Sequence, residues 1–212
     1  MRDGHSYLAS TAPATEGLFR LLNQYGWQKM RALADLLNVK TRDEFDQHHA
    51  AFTCVDVARE VVAGSILQIA YVGIKKFAVA QAKSVETLNF EDGMNKIIAE
   101  LPNPRIVQLL LPDGFCVGKL IGNLPFGMVV YAARNQYNHF DEGRLSVLNE
   151  IVFNHLNTLW PRPGNGLSFD LSDGTVYRSY SALWALGWTD TSKGLGYSAY
   201  KEDMSSALHV EF

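Results

Sequence analysis

The stretch RNQYNH, residues 134–139, follows a run of apolar residues with side chains suited to acid–base and anion chemistry. Asn135 precedes His139 by four positions, so in a helix their side chains share a face. Arg134 supplies a fixed positive charge, and His139 supplies a group that titrates near neutral pH. This set suits cleavage of a phosphodiester: His139 would move the proton of a 2′-hydroxyl or of a leaving 5′-oxygen, while Arg134 would neutralise charge on the phosphorane oxygens. Asn135 would orient the imidazole or the phosphate, and none of these steps needs a metal ion.

Two other side chains of the stretch are candidates for binding the substrate. Tyr137 offers a ring on which a base can stack, and Asn138 adds an amide beside it. The alternative interpretation is an ordinary polar helix end, whose side chains cap the helix or contact water. Aromatic residues near helix ends also commonly pack against the core. Both interpretations stay open at this level.

A second arginine–histidine pair has similar spacing, formed by Arg42 with His48 and His49. It lies between the first two predicted helices rather than near the end of the predicted bundle, so we favour Arg134. The same segment offers Asp46, His48 and His49 as metal ligands. Adjacent histidines point in different directions, however, and no further ligand spacing supports a metal site. We therefore expect a solvated loop here, and neither a metal nor a cofactor.

The composition is that of a folded, soluble protein without a strong charge bias. Of 212 residues, 47% are hydrophobic and 19% are charged, a balance typical of globular domains. The formal net charge of -3 and the pI of about 6.1 provide no general attraction for nucleic acid. This balance argues against non-specific coating of RNA or DNA, although a local patch or a cleft in a dimer could still bind RNA.

Three features predict a cytoplasmic protein without a membrane span. The N-terminal segment MRDGHSYLAS lacks the apolar region of a secretory signal. The most apolar run, residues 61–74, is shorter than the roughly 20 residues of a membrane span and has charged flanks, so it is predicted to be a buried helix. Cys54 and Cys116 lack C-x-x-C spacing, which indicates two buried thiols in a reducing compartment.

Apolar residues spaced three and four apart predict a series of helices. The predicted segments, in chain order, are a helix at 14–39, a polar loop or short capped turn at 40–49, a helix at 51–83, a short helix at 90–101, an apolar helix at 115–134, a last bundle helix at 141–160, a β-hairpin turning at Asp173-Gly174, a short helix at 181–188 and a poorly ordered tail after Lys193. Gly64 and Gly73 predict a close helix approach or a bend. Pro125 is expected to kink its helix or to start the second half. His155 is expected to be a core histidine on an apolar face.

The motif and its surroundings resemble the HEPN family (higher eukaryote and prokaryote nucleotide-binding), whose domains are all helical. Catalytic members carry an arginine, a polar residue and then a histidine four to six residues after the arginine, which here match Arg134, Asn135 and His139. The apolar FGMVVYAA before the motif and the amphipathic helix after it are similar to the family as well. The resemblance covers roughly residues 51–160.

The resemblance implies a homodimer whose two motifs meet in one cleft, and metal-independent RNA cleavage that leaves a 2′,3′-cyclic phosphate and a 5′-hydroxyl. Family members act as toxins of toxin–antitoxin pairs, in abortive infection and phage defence, or in RNA processing. An antitoxin protein is therefore an expected partner. Some family toxins carry a tyrosine two residues after the histidine as the target of a nucleotidyltransferase, whereas this chain has Asp141 there. Control by that modification is thus not implied.

The sequence predicts a mainly α protein, an up-and-down helical bundle of the HEPN kind with a small C-terminal appendage. We divide it into an N-terminal helix and loop at 1–50, the bundle at 51–160 and the appendage at 161–212. The expected function is that of a metal-independent endoribonuclease. The alternative is a non-catalytic helical module that binds a nucleotide, RNA or a protein. A third interpretation, the neutralising partner of a toxin, is neither supported nor excluded.

Overall fold

The protein is a mainly helical bundle, as predicted, with one small antiparallel sheet among the described residues. The computed structural model describes residues 4–78, 85, 88, 89, 92, 113–139, 146–161, 167–170, 178–190 and 196–210. The elements are α1 (Gly4–Leu37), α2 (Arg42–Phe77), a 3-10 turn (Asp113–Phe115), β1 (Leu120–Ile121), β2 (Leu124–Pro125), α3 (Phe126–Asn138), α4 (Val147–Leu159), α5 (Ser179–Ala185) and α6 (Tyr197–Ala207). The helix predicted at 90–101 lies almost entirely outside the described residues.

Helix α2 begins at Arg42, so the loop predicted at 40–49 is wrong. A capping box starts the helix: the Glu44 N–H donates to the Thr41 hydroxyl at 3.2 Å, and the Thr41 N–H donates to the Glu44 carboxylate at 3.2 Å. Backbone N–H groups of Lys40 and Thr41 hold the pKa of Glu44 below its usual range. The sequence TRDE carries this signature, Thr followed three residues later by Glu, so the helix start can be read from the residues.

Helix α1 starts at Gly4, earlier than its apolar spacing predicts, and it continues through Pro13. Tertiary contacts hold its first turns in place. The Tyr7 hydroxyl donates to the Ile69 carbonyl on α2 at 2.6 Å, and burial raises the pKa of Tyr7 to about 12. These contacts with α2 offset the stability that α1 loses because Pro13 has no backbone N–H to donate within the helix.

Helix α2 is the centre of the bundle, because α1, α3, α5 and α6 all contact it. Its buried apolar residues are Val62, Ala63, Ile66, Leu67, Ala70 and Ile74. The predicted close approaches at its glycines are confirmed. A methyl group at Gly64 would lie 2.5 Å from the ring of Tyr137, and one at Gly73 would lie 2.7 Å from the ring of Tyr7. Of the described residues, α2 alone forms a helix long and apolar enough to cross a membrane, and more than half of its apolar window is buried within the protein.

A two-stranded hairpin replaces the first half of the helix predicted at 115–134. Ile121 pairs with Leu124 across the turn Gly122-Asn123, and Gly122 has a φ of 60°, as the first position of a type II′ turn requires. The carbonyls of Lys119 and Val117 then accept from the first N–H groups of α3, at 2.8 and 3.2 Å. The hairpin region thereby caps α3, which begins directly after Pro125, one of the two outcomes predicted for that proline.

The chain after Lys193 is ordered where the structure describes it, so the predicted loose tail is wrong. Tyr200 and Met204 of α6 are buried, and the ring of Tyr200 packs 5.6 Å from the ring of Phe19 on α1. Buried residues from the N-terminal, central and C-terminal parts of the chain form one hydrophobic core. The division into three ranges stays a prediction.

A polar contact also ties α6 to the rest of the molecule. Asp203 accepts from the indole N–H of Trp188 at 2.8 Å, and its carboxylate lies 2.8 Å from Lys119 Nζ. The short helix predicted at 181–188 is confirmed as α5 (Ser179–Ala185). The turn of the predicted C-terminal hairpin, Asp173-Gly174, lies outside the described residues, and residues 167–170 form no strand.

Two predictions about the burial of single residues differ from the structure. Cys54 is exposed and Cys116 is half-buried, so the prediction of two buried thiols is wrong. His155 is half-buried on α4, and burial lowers its pKa. Its imidazole is partly desolvated, but a half-buried position is not the core position that the sequence predicts.

Replacement of Gly127 by alanine should destabilise the bundle. A methyl group at this position would meet the carbonyl oxygen of Phe115, which belongs to the backbone and cannot move aside cheaply. We expect the free energy of unfolding to fall by about 1–3 kcal/mol, the usual cost of overpacking. Chemical denaturation measures it. The control is Gly17→Ala in α1, where a methyl group meets nothing within 4 Å; equal stability of the two variants would contradict the close approach.

Candidate functional site

The last two turns of α3 hold Arg134 against α2. The guanidinium Nε donates to the side-chain oxygen of Gln68 at 2.8 Å. The central carbon of the Arg134 guanidinium, Cζ, lies 4.5 Å from the centre of the Tyr71 ring, a cation–π distance. Arg134 is half-buried. One face of the guanidinium is therefore fixed by α2, while the side chain remains partly open to solvent.

Two asparagine amides complete the surroundings of Arg134. Asn135 accepts from Nη1 at 3.1 Å. With its amide in the orientation that satisfies both groups, Asn138 accepts from the guanidinium nitrogens at 2.9 to 3.1 Å. Among the residues that the structure describes, no carboxylate lies within ion-pair distance of Arg134. Its partners there are neutral, so they orient the positive charge without neutralising it.

Tyr71 belongs to an aromatic cluster that supports this arrangement. Its ring lies 5.0 Å from the ring of Phe115 and 6.0 Å from the ring of Tyr131. The exposed Lys75 also approaches the Tyr71 ring, with Nζ 5.6 Å from its centre. Two cations thus flank one aromatic residue on the surface formed by α2 and α3, and we call Gln68, Tyr71, Lys75, Arg134 and Asn138 the arginine patch.

The spacing of Gln68, Tyr71 and Lys75 is a signal that sequence inspection can find. The three residues lie at positions i, i+3 and i+7 of an otherwise apolar helix, so they share one face. On a helix that is otherwise buried by its neighbours, a polar or amphipathic stripe indicates the side that contacts solvent or a binding site. Inspection limited to the motif itself does not find them, because they lie more than fifty positions earlier in the chain.

His139 lies at the C-cap of α3, just beyond its last helical residue. Its backbone N–H still donates to the Asn135 carbonyl at 3.1 Å, and its side chain is exposed. The helix therefore extends through Asn138, but His139 has left helical geometry. Arg134, Asn135 and Asn138 form one hydrogen-bonded group, and His139 is not among the described partners of Arg134.

Tyr137 and Gln136 face the interior. The ring of Tyr137 lies against Gly64 of α2 and is half-buried. Gln136 is buried, and its side-chain oxygen accepts from the backbone N–H of Arg178 at 3.3 Å. The packing of Tyr137 explains its aromatic character without a substrate, and its role in base stacking stays a prediction.

The alternative pair at Arg42 lies on the exposed first turns of α2. Arg42 forms an ion pair with Asp46 at 3.3 Å, and the ring of His49 stacks on Phe45 at 5.7 Å. Among the described residues, no group of three or more His, Cys, Asp or Glu side chains is placed to hold a metal ion. Asp46, His48 and His49 therefore do not form such a group.

A second cluster of charges, which the motif does not predict, lies at the junction of α1, α2 and α5. Asp56 accepts from Lys29 Nζ at 2.5 Å and from Arg59 Nη2 at 2.7 Å. The Arg59 guanidinium stacks on Tyr180, 3.9 Å from the ring centre. The adjacent Glu60 accepts from the Tyr180 N–H at 3.0 Å. Burial raises the pKa of Glu60 to about 7.

Comparison with known proteins assigns no relationship: no family model matches this chain, and no curated protein or solved structure matches it. The HEPN resemblance therefore depends on the motif residues alone. What supports a function is the chemistry and the geometry of the arginine patch.

Replacement of Glu60 by glutamine should change how stability depends on pH. Because the folded-state pKa of Glu60 is raised from about 4.5 to about 7, the folded protein holds this proton more tightly than the unfolded chain does. Wild-type stability should therefore fall as pH rises from about 5 to about 7. Glutamine has no proton to lose, so the stability of Glu60→Gln relative to wild type should increase across that window, by up to about 3 kcal/mol.

Urea denaturation at several pH values measures this difference. The control is Glu44→Gln, since the pKa of exposed Glu44 is lowered and its contribution is already complete above its unfolded value. The Glu44→Gln difference should be flat from pH 5 to pH 8. Parallel curves for Glu60→Gln and wild type over the same range would show that Glu60 does not titrate there.

Proposed function

We propose that this protein is an endoribonuclease that cleaves RNA without a metal ion, through attack of the substrate's own 2′-hydroxyl on the adjacent phosphate. The observation that carries the proposal is the setting of Arg134. Its guanidinium is fixed by Gln68, Tyr71 and two asparagine amides, and no carboxylate among the described residues neutralises it. A preorganised cation whose described partners are all neutral suits a phosphate group that gains negative charge during reaction.

Each neighbour of Arg134 has a role in this mechanism. Gln68 and Tyr71 hold the guanidinium in one orientation, so little reorganisation is needed when the phosphorane forms. Asn135 and Asn138 occupy part of its donor set and can exchange with phosphate oxygens. Lys75, which also lies near the Tyr71 ring, adds a second positive charge for the RNA backbone.

His139 is the proposed proton-transfer group, because its side chain is exposed at the end of the helix that carries Arg134. An imidazole titrates near neutral pH and can act as base or acid. In-line cleavage uses both, a base for the 2′-hydroxyl and an acid for the leaving 5′-oxygen. One motif supplies one such histidine, so two motifs across a twofold axis would supply both. The proposed active form is therefore a homodimer.

A second candidate function is a non-catalytic module that binds a nucleotide, RNA or a protein. The exposed amides and the guanidinium would bind a phosphate equally well without cleaving it. The net charge of -3 argues for a local contact rather than extended RNA binding. For the ribonuclease we propose a cytoplasmic setting in toxin–antitoxin control or phage defence, with an antitoxin protein as partner, because cleavage of cellular RNA requires restraint.

The purified protein should cut RNA in the presence of EDTA and should spare DNA of the same sequence, since DNA lacks the nucleophilic 2′-hydroxyl. His139→Ala and Arg134→Ala should each lower the cleavage rate by at least about a hundredfold, the usual effect of losing an acid–base or charge-stabilising group. Gel analysis of end-labelled RNA measures the rates.

Arg42→Ala is the matched control, because it removes an arginine with the same spacing to histidine from an exposed surface. It should leave the rate unchanged. Loss of cleavage in Arg42→Ala with full activity in His139→Ala would show that the motif at Arg134 is not the catalytic one. Loss of cleavage on chelation would show that the reaction needs a metal ion and would contradict the proposed mechanism. Phosphate-dependent RNA binding without any cleavage would favour the non-catalytic module.

The active protein should be a dimer, and a hybrid with one inactive chain should lose activity, because each chain gives one of the two histidines. When wild-type chains are mixed with an excess of His139→Ala chains, hybrid dimers contain a single His139 and should cleave no faster than His139→Ala dimers. Light scattering at micromolar concentration measures the mass, and the cleavage assay measures the hybrid. A fully active monomer would contradict the shared site.

A further inference from the structure

A cavity of about 670 Å³ lies between α1, α2 and α5, away from the arginine patch. Its lining residues from α1 include Asn23, Gly26, Trp27, Lys29 and Met30. Phe52 and Arg59 of α2 and Tyr180 and Trp184 of α5 form other walls. The volume is within the range of small-molecule sites, about 300–1,000 Å³. This cavity adjoins the second cluster of charges.

The charged wall of the cavity carries more positive than negative groups. Lys29 and Arg59 line it, and both pair with the single carboxylate of Asp56. No Asp or Glu is among the described residues that line the cavity. The two charged side chains that reach it are therefore both positive.

Arg59 has an unused hydrogen-bond donor. The residue is 6% exposed, and its Nε is buried without an acceptor among the described residues. A buried donor without a partner costs about 1–3 kcal/mol. An acceptor supplied by a ligand would remove that cost, so Arg59 is a second indication, besides the cavity itself, that a group with an acceptor atom binds here.

Most of the remaining lining is apolar or aromatic, and Asn23 and Thr189 are its polar members. Trp27 and Met30 are 67% and 61% exposed at the cavity, which is unusual for side chains of this size. Trp184 and Phe52 contribute further rings. A ligand that covers Trp27 and Met30 would bury apolar surface that the protein alone leaves in water.

We propose that this cavity binds a small apolar monocarboxylate, whose carboxylate pairs with Arg59 and Lys29 and whose hydrocarbon body lies between α1 and α5. Two cations that already share the carboxylate of Asp56 match a singly charged carboxylate better than a dianionic phosphate. The apolar walls match a medium-length alkyl or aryl group. The site is separate from the arginine patch, so it stands independently of the proposed ribonuclease activity.

Decanoate is the probe, with 1-decanol as the uncharged analogue of the same length. Calorimetry and tryptophan fluorescence should show saturable binding of one decanoate per chain to the wild-type protein. Decanol should bind at least about tenfold more weakly, because it cannot pair with Lys29 and Arg59. Lys29→Met should weaken decanoate binding and leave decanol binding unchanged.

Gly26 and Gly17 provide a matched pair of variants in α1. A Cβ atom at either position meets nothing within 4 Å, but only Gly26 lines the cavity. Gly26→Leu should fill the cavity and lower decanoate affinity at least about tenfold, while Gly17→Leu should bind as wild type does. Thermal unfolding of both variants checks that each is folded.

Three results would overturn the proposal. These are no saturable binding of decanoate, equal affinity for decanol and decanoate, or wild-type affinity in folded Gly26→Leu. Self-association of the wild type that Gly26→Leu abolishes, with no decanoate binding, would instead identify a second copy of this chain as the occupant. None of these results depends on RNA cleavage.

Discussion

The apolar middle of α2 is the constraint on which the other elements depend. Residues such as Ile66, Leu67 and Ala70 are fully buried, and no single neighbouring helix can cover a helix that is apolar on several sides. Among the described helices, α1, α3, α5 and α6 contact it. The glycines of α2 admit the rings of Tyr137 and Tyr7 at two of these contacts. The arrangement of the other helices around the core therefore depends on α2.

Polar residues on α2 then mark two places where the enclosure is incomplete. Towards the C-terminal end of α2, Gln68 and Tyr71 meet Arg134. Before its apolar middle, Asp56 and Arg59 meet Lys29 and Tyr180. Both groups lie on a helix whose middle is held by its neighbours, so the packing of α2 positions their side chains.

Much of this fold can be predicted from spacing alone. The apolar periodicity of α1, α2 and α4 identifies those helices, and Gly64 and Gly73 indicate close contacts. The sequence also predicts where α2 starts, through the capping box of Thr41 and Glu44. It does not predict α6. Its buried face depends on Phe19 and on Trp188, whose contacts cross long sequence separations, and local composition carries no such information.

The candidate site is predictable in part. Arg134, Asn135 and Asn138 lie within five positions of the sequence, and in the structure their side chains are joined by hydrogen bonds. Gln68 and Tyr71 become neighbours of Arg134 only when α3 packs on α2, which spacing does not specify. The hairpin before α3 shows the same limit, since Gly122 and Pro125 indicate a break but not that nearby carbonyls cap the helix.

Attack by the 2′-hydroxyl at the arginine patch is tested most directly by the ends of the RNA products. Mass spectrometry of a short RNA oligonucleotide cut by the purified protein in EDTA distinguishes the mechanisms. The 2′-hydroxyl mechanism predicts a 2′,3′-cyclic phosphate on one fragment and a 5′-hydroxyl on the other. Fragments that carry a 3′-hydroxyl and a 5′-phosphate would show that water attacked the phosphate, and would contradict it.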